Sequence, residues 1–268
     1  VVERVYGEWH LREAGEAGRL RAAFAVRIDR NVEWISQSEE IGTGRSGAEG
    51  YAFRISQRVP IAIEFLFVDE TKIVGHGESN GSIVHAMRRP DCWTAAACHA
   101  GDMAFELCYL PDMPGLLRAL AKKGGSIETF LTDFEKGPKW SGGDIHTLMV
   151  LAMAATYDPD PDPQAFCGIR LPVDMETCEL IEERWANWKA WDPVVMADDH
   201  AGNLRKLKGL WIECGRVDQY NLVYGARQLH RKLEAAGVDH VYEEFDDNHS
   251  STDYRMDLSL PFLAKALS

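Results

Sequence analysis

Three things are missing from this 268-residue sequence, and each absence removes a class of function. Positive charge is scarce: 29 Lys and Arg stand against 42 Asp and Glu, a formal balance of −13. A nucleic-acid backbone or an anionic membrane surface rewards clustered cations, so neither is expected as the main partner. Long apolar runs are also missing. Nothing approaches the roughly 18 consecutive apolar residues that a membrane span needs, and the opening "VVERVYGEWH" has no basic stretch leading into an apolar segment. A cytoplasmic location is expected, although a start at Val1 without methionine leaves a fragment or a processed product open. The third absence is a C-x-x-C pair. Cys92, Cys98, Cys108, Cys167, Cys178 and Cys214 are scattered through apolar surroundings, which argues against a zinc site or disulfide framework and for reduced, mostly buried thiols. No metal site is expected.

What is present suits one α/β domain over residues 1–268, since a 46% hydrophobic composition can fill a large core. The first 50 residues are the least readable: "GEAGRLRAAFAVRID" and "NVEWISQS" can each hold a strand or a short helix, and "GTGRSGAEG" reads as loop. Tyr51, Ile55, Val59, Ile63 and Leu66 recur at helical spacing, interrupted by Pro60. A strand is then expected at Lys72 to Val74. After a glycine turn, Ile83, Val84 and Met87 predict a short helix stopped before Pro90, and "WTAAACHAG" predicts a buried strand. Strand, turn, helix and strand in so short a span make a βαβ unit, which implies parallel pairing. Residues 104–205 carry helical patterns separated by Pro- and Asp-rich loops such as "DPDPDP" and are read as a helical cap insertion. The rhythm of strands and helices returns with "GLWIECG", "NLVYGARQLHRKLEAAG", "HVYEEF" and a last helix, "RMDLSLPFLAKAL".

Gly77-Glu78-Ser79-Asn80-Gly81 matches G-x-S-x-G, in which small residues let a strand turn sharply into a helix with the serine hydroxyl exposed. The plainer reading of Ser79 is a cap for that helix. A serine nucleophile needs a base and an orienting carboxylate, and both are available later in the chain in the order serine, acid, histidine. Asp218 follows the strand "GLWIECG", and His249 follows the strand "HVYEEF". Taken singly, Asp218 reads equally as a helix N-cap and His249 as a solvated loop histidine. A competing reading makes Gly75-His76-Gly77 a phosphate turn with Asp102 on a ribose, but Gly81 comes one position late for G-x-G-x-x-G and no Walker lysine follows. "ADDH" at 197–200 and "DDNH" at 246–249 contain metal-ligand residue types, although acid-rich loops are usually just solvated. Trp185, Trp188 and Ile181 form a stripe expected to be core. His76, His99 and Asp102 are candidate pocket residues, with a buried, hydrogen-bonded role the plainer account of His99.

Three segments also carry a resemblance: "HAMRRPDCWTAAACHAGDMAFELCYLPDMP", "WIECGRVDQYNLVYGARQLHRKLEAAGV" and "YEEFDDNHSSTDYRMDLSLPFLAKAL". Over residues 83–268 the chain resembles the esterase D and enterochelin-esterase-like group of α/β-hydrolases. The resemblance implies a three-layer α/β sandwich with a mostly parallel sheet. It also implies a Ser-His-Asp hydrolase of small-molecule esters or thioesters that uses no cofactor, with His249 as general base and Asp218 as its orienting acid. Two departures stand out. Only ten residues separate Ser79 from Pro90, about three fewer than in the family, and registering on the helix instead puts the nucleophile's place near His76. The family's early strands and the loop that donates one oxyanion N–H are not recognisable in residues 1–70, which implies a truncated or remodelled N-terminal half. The Asn80 N–H remains as one oxyanion donor. The expectation is therefore a serine esterase using Ser79, His249 and Asp218. The alternative is a weakened or inactive homologue that serves as a binding scaffold, and a homo-oligomer stays open in either case.

Overall fold

The computed structural model describes residues 8–10, 19–25, 63–69, 72–77, 81–137, 139–162 and 164–267, with backbone alone for the stretches before residue 81. Among the described residues, seven strands form one sheet in chain order: β1 (Glu8–His10), β2 (Arg19–Ala25), β3 (Ile63–Asp69), β4 (Lys72–Gly77), β5 (Ala95–His99), β6 (Gly209–Gly215) and β7 (Val241–Phe245). The sheet is mixed, not mostly parallel. β1 through β4 run as an antiparallel meander, and parallel pairing is confined to β4, β5, β6 and β7.

The helical spacing that includes Ile63 and Leu66 proves misleading. Both residues lie in β3, where Phe65 pairs with Gly75 and Leu66 with Val74. Ile, Phe and Val in "IEFLFVD" suit a pleated surface, and a two-strand ladder overrides a period read from so few positions. Residues 51–62, the remainder of that expected helix, lie outside the described residues. A second correction concerns Gly75-His76-Gly77. These three residues continue β4, opposite Ala96, Ala97 and Cys98 of β5. Extended backbone within a ladder cannot wrap a phosphate, so the phosphate turn is excluded. His76 likewise lies within the strand, not at a turn.

β4 leads into α1 (Gly81–Arg88) and thence to β5, as the βαβ reading requires. α1 ends just before Pro90, with Arg89 N–H closing on His85 C=O. β5 is "AAACH", a poor strand by intrinsic preference because alanine favours helix. Burial decides it: all five residues are buried, flanked by parallel strands and covered on both faces.

The alternation of side chains along β5 and β6 sorts the core into two layers. Ala96, Cys98, Leu210, Ile212 and Cys214 share one cluster with α1, α7 (Pro193–Leu204) and α8 (Leu222–Ala235). Ala95, Ala97 and Trp211 face Leu263 and Leu267 of α9 (Met256–Leu267) on the other side. Helices therefore cover both faces of the parallel half. The crossovers β4-α1-β5, β5-α7-β6 and β6-α8-β7 move in one direction across the sheet, so a constant hand puts their helices on one face.

Between β5 and α7 lie α2 (Phe105–Cys108), a single 3₁₀ turn at Leu110–Asp112, α3 (Met113–Ala121), α4 (Ile127–Lys136), α5 (Gly142–Tyr157) and α6 (Glu182–Lys189). Helix starts follow the sequence signals. Ser126 accepts from Thr129 N–H at the start of α4, and Ser141 with Asp144 forms a full capping box on α5. Trp185 and Trp188 are 2% and 0% exposed and pack with Tyr109 and Tyr157, so the stripe is core. The 104–205 segment is not uniform, because its last helix, α7, belongs to the layer with α1 and α8. No described helix is long and apolar enough to cross a membrane.

Candidate active site

Parallel strands put their carboxyl ends on one edge, and open α/β sheets present ligand-binding loops there. On this edge, residues 78–80 join β4 to α1, residues 100–104 follow β5, residues 216–221 follow β6 and residues 246–255 follow β7. Ser79 and Asn80 belong to the first of these connections and lie outside the described residues, as does the side chain of His76. Asp102, Asp218 and His249 lie on the other three.

The loops after β6 and β7 are laced together by backbone. Arg216 N–H donates to Phe245 C=O at 2.9 Å and Val217 N–H to Asp247 C=O at 3.2 Å. Gly215 makes this approach feasible, since a Cβ there would sit 2.4 Å from the Asp247 carbonyl oxygen. His249 and Asp218 meet as a result, with Nδ1 of the imidazole 3.0 Å from Oδ2 of the carboxylate. The Asp218 side chain is fully buried and that of His249 is 26% exposed. An Nδ1–H donating to Asp218 leaves Nε2 as the basic nitrogen.

Asp218 is not the N-cap of α8, a position that Asn221 holds without a side-chain cap bond, but its carboxylate ties down the turn that leads into the helix. Its Oδ1 accepts from Tyr220 N–H at 2.8 Å and Leu222 N–H at 3.3 Å where α8 begins, which frees Oδ2 for His249. The Cys214 thiol, which burial keeps neutral by raising its pKa, lies 3.8 Å from Oδ2. His249 is tied further through its backbone N–H to Gln219 Oε1 at 3.0 Å. The nearby acids have structural partners as well: Asp246 pairs with Arg216, and Asp247 accepts from the Tyr254 hydroxyl. In the other acid-rich stretch, Asp198 pairs with Lys232.

Asp102 is half-buried on the loop after β5. Burial raises its carboxyl to about 6, opposed by a hydrogen bond from the Tyr109 phenol and by the nearby His249. The loop holding it is fixed from several sides. Asp192 accepts from Ala104 N–H at 3.0 Å and Phe105 N–H at 2.8 Å while capping α7 through Val194 N–H. Gly225 of α8 approaches so closely that a Cβ would lie 2.3 Å from Met103 C=O. Ala100 and Ala104 are held at positive φ, 45° and 55°, a conformation that costs a non-glycine residue about 1 kcal/mol or more and persists only when surroundings impose it.

His99 takes the plainer of its two roles. It is buried, with Nδ1 2.7 Å from Glu213 Oε1. Glu213 also accepts from Trp211 Nε1 and Arg255, forming an ionic core on the α9 side of the sheet. Burial pushes the Glu213 carboxyl up, but the bonds from His99 and Arg255 outweigh it and hold the pKa below the ordinary value.

Three residues joined to the His249 pair are not singled out by the sequence reading. Tyr220 stands edge to face with His249, centroids 5.0 Å apart at 90°. His146 of α5 lies flat against Tyr220, 5.8 Å apart at 9°. Asp112 holds His146 Nε2 at 2.9 Å. Only the position of Tyr220, two residues after Asp218, could have pointed to it. His146 and Asp112 are brought there by the path of the helical segment.

No protein-family model matches the chain, and no protein of curated function matches it. Among solved structures, a ferulic acid esterase is similar with a TM-score of 0.35 and 14% identity, over 72% of this chain and 50% of its own. The chain thus spans half the length of that structure.

Proposed function

We propose that the protein is a serine-dependent hydrolase of small carboxylic esters or thioesters, built on an α/β-hydrolase-like fold. Ser79 is the nucleophile, His249 the general base and Asp218 the acid that orients it. The observation that carries this reading is the 3.0 Å hydrogen bond between His249 Nδ1 and the buried Asp218 carboxylate. Its partners follow β6 and β7, on the sheet edge where the β4–α1 connection also lies. A buried carboxylate at Nδ1 fixes the tautomer that leaves Nε2 free to accept a proton, and it stabilises the imidazolium that results.

Ser79 Oγ attacks the ester carbonyl while His249 Nε2 takes its proton, giving a tetrahedral intermediate and an imidazolium held by Asp218. The Asn80 N–H and the amide end of α1 offset the oxyanion's charge. The imidazolium returns the proton to the departing alcohol or thiol, leaving an acyl-enzyme on Ser79. Water, deprotonated by His249, then releases the acid and restores the serine. Helices α2 to α6 form the cap over this edge, with Asp102 in the pocket wall.

Ser79→Ala tests the assignment through hydrolysis of phenyl butanoate. Turnover should fall to the level without enzyme while the thermal midpoint changes little, because a hydroxyl kept free for nucleophilic attack contributes little to folding. Equal turnover in both forms would remove Ser79 from the chemistry. A loss of about 1 kcal/mol in stability with no turnover in either form would mark a helix cap in a binding scaffold.

A further inference from the structure

The geometry points to Tyr220 as a positioning residue for His249, and to His146 as the residue that positions Tyr220, so that α5 reaches the imidazole through an aromatic bridge. The inference deepens the proposed function, but its first readout is the state of His249 and needs no turnover.

Tyr220 is fixed at its backbone by the carboxylate that holds the imidazole, since its N–H donates to Asp218 Oδ1 at 2.8 Å. Its ring then meets His249 at 90° with centroids 5.0 Å apart, an arrangement that aromatic quadrupoles favour. The same ring is stacked by His146. His146 does not turn freely, because Asp112 holds its Nε2 at 2.9 Å. That hydrogen bond raises the His146 pKa, against the opposing effect of burial. The bridge thus joins two elements far apart in sequence, the loop after β6 and the helical segment.

Exposure argues that Tyr220 is not kept for core packing: it is 38% exposed, whereas the packed aromatics Trp185 and Trp188 are almost fully buried. With the imidazole edge toward the Tyr220 face in this 90° contact, the ring stabilises the protonated form, which is the form His249 takes during the proposed acylation. Among the described residues, the titratable and charged groups around His249 include Asp218 on the β6 loop, Tyr220 itself and Asp102 on the β5 loop. Asp112 is the one that faces His146. Both carboxylates are present in wild type and variants alike, so the contribution of Tyr220 is read as a difference between variants.

The experiment follows the His249 Hε1 resonance by NMR across pH in wild type, Tyr220→Phe, Tyr220→Leu, His146→Gln and the His146→Gln/Tyr220→Leu double variant. The kcat and KM for phenyl butanoate are measured alongside. Tyr220→Phe keeps the ring and should titrate as wild type. Tyr220→Leu should lower the His249 midpoint by about half a unit and kcat by about tenfold, with KM nearly unchanged. His146→Gln should shift the midpoint in the same direction by less, and should add nothing once Tyr220 is leucine. The inference is overturned if Tyr220→Leu titrates like Tyr220→Phe, or if the two losses simply add. If wild type turns over no ester while the titration behaves as described, the hydrolase reading fails and the positioning role stands.

Discussion

Burial raises the Asp102 carboxyl to about 6, against 3.8 for a free aspartate, and the Tyr109 phenol only partly offsets that cost. The folded protein therefore holds this proton more tightly than the unfolded chain does. The corresponding stability is fully present below 3.8 and is lost as pH rises through 6. Asparagine cannot ionise, so Asp102→Asn should gain in thermal midpoint relative to wild type between pH 4 and pH 7.5. Melting curves at pH 4, 6 and 7.5 check this, and a difference that stays constant with pH would contradict it. At this scale the sequence was informative where a residue follows a strand. Asp218 and His249 could be picked out because apolar runs precede them. His146 could not, since nothing local distinguishes a histidine on α5 that meets another loop from one facing solvent, and its contact with Tyr220 exists only after the helical segment folds back.

Elements meet at this site through backbone more than through side chains. Gly215 ends β6 where a Cβ would press on the Asp247 carbonyl at 2.4 Å and the Asn248 carbonyl at 2.9 Å. Neither contact is a flexible side chain that can swing away. Gly215→Ala should therefore push apart the loops that carry Asp218 and His249. About 1–3 kcal/mol of stability should be lost in chemical denaturation, and ester turnover should fall by far more than the folded fraction does. Turnover that only follows the folded fraction would mean that the loops are not held together at this glycine. A glycine after a strand was visible in "IECG", but its use for close approach was not, because the partner carbonyls come from the next loop. β3 was misread for a related reason: a helical period over residues 51–66 is a local signal, whereas Phe65 pairing with Gly75 is a contact between strands. A pattern that depends on one element alone, such as the stop of α1 before Pro90, needed no tertiary information.

Over the whole molecule, the sheet divides at β4. The antiparallel meander before it has no counterpart in the rhythm that made the later strands readable. The parallel half could be read because each crossover writes strand, helix and strand in order, and one constant hand then assigns its helices to one face. That half carries the whole of the proposed machinery: nucleophile after β4, wall after β5, acid after β6 and base after β7. The central claim is that these four connections converge on one activated serine. The most direct measurement is labelling of the intact protein by a fluorophosphonate, followed by mass determination and peptide mapping. A single adduct on Ser79 is predicted, absent in Ser79→Ala and formed on the order of 10³-fold more slowly in His249→Gln. No adduct at saturating probe, an adduct on another residue, or an unchanged rate in His249→Gln would contradict the account.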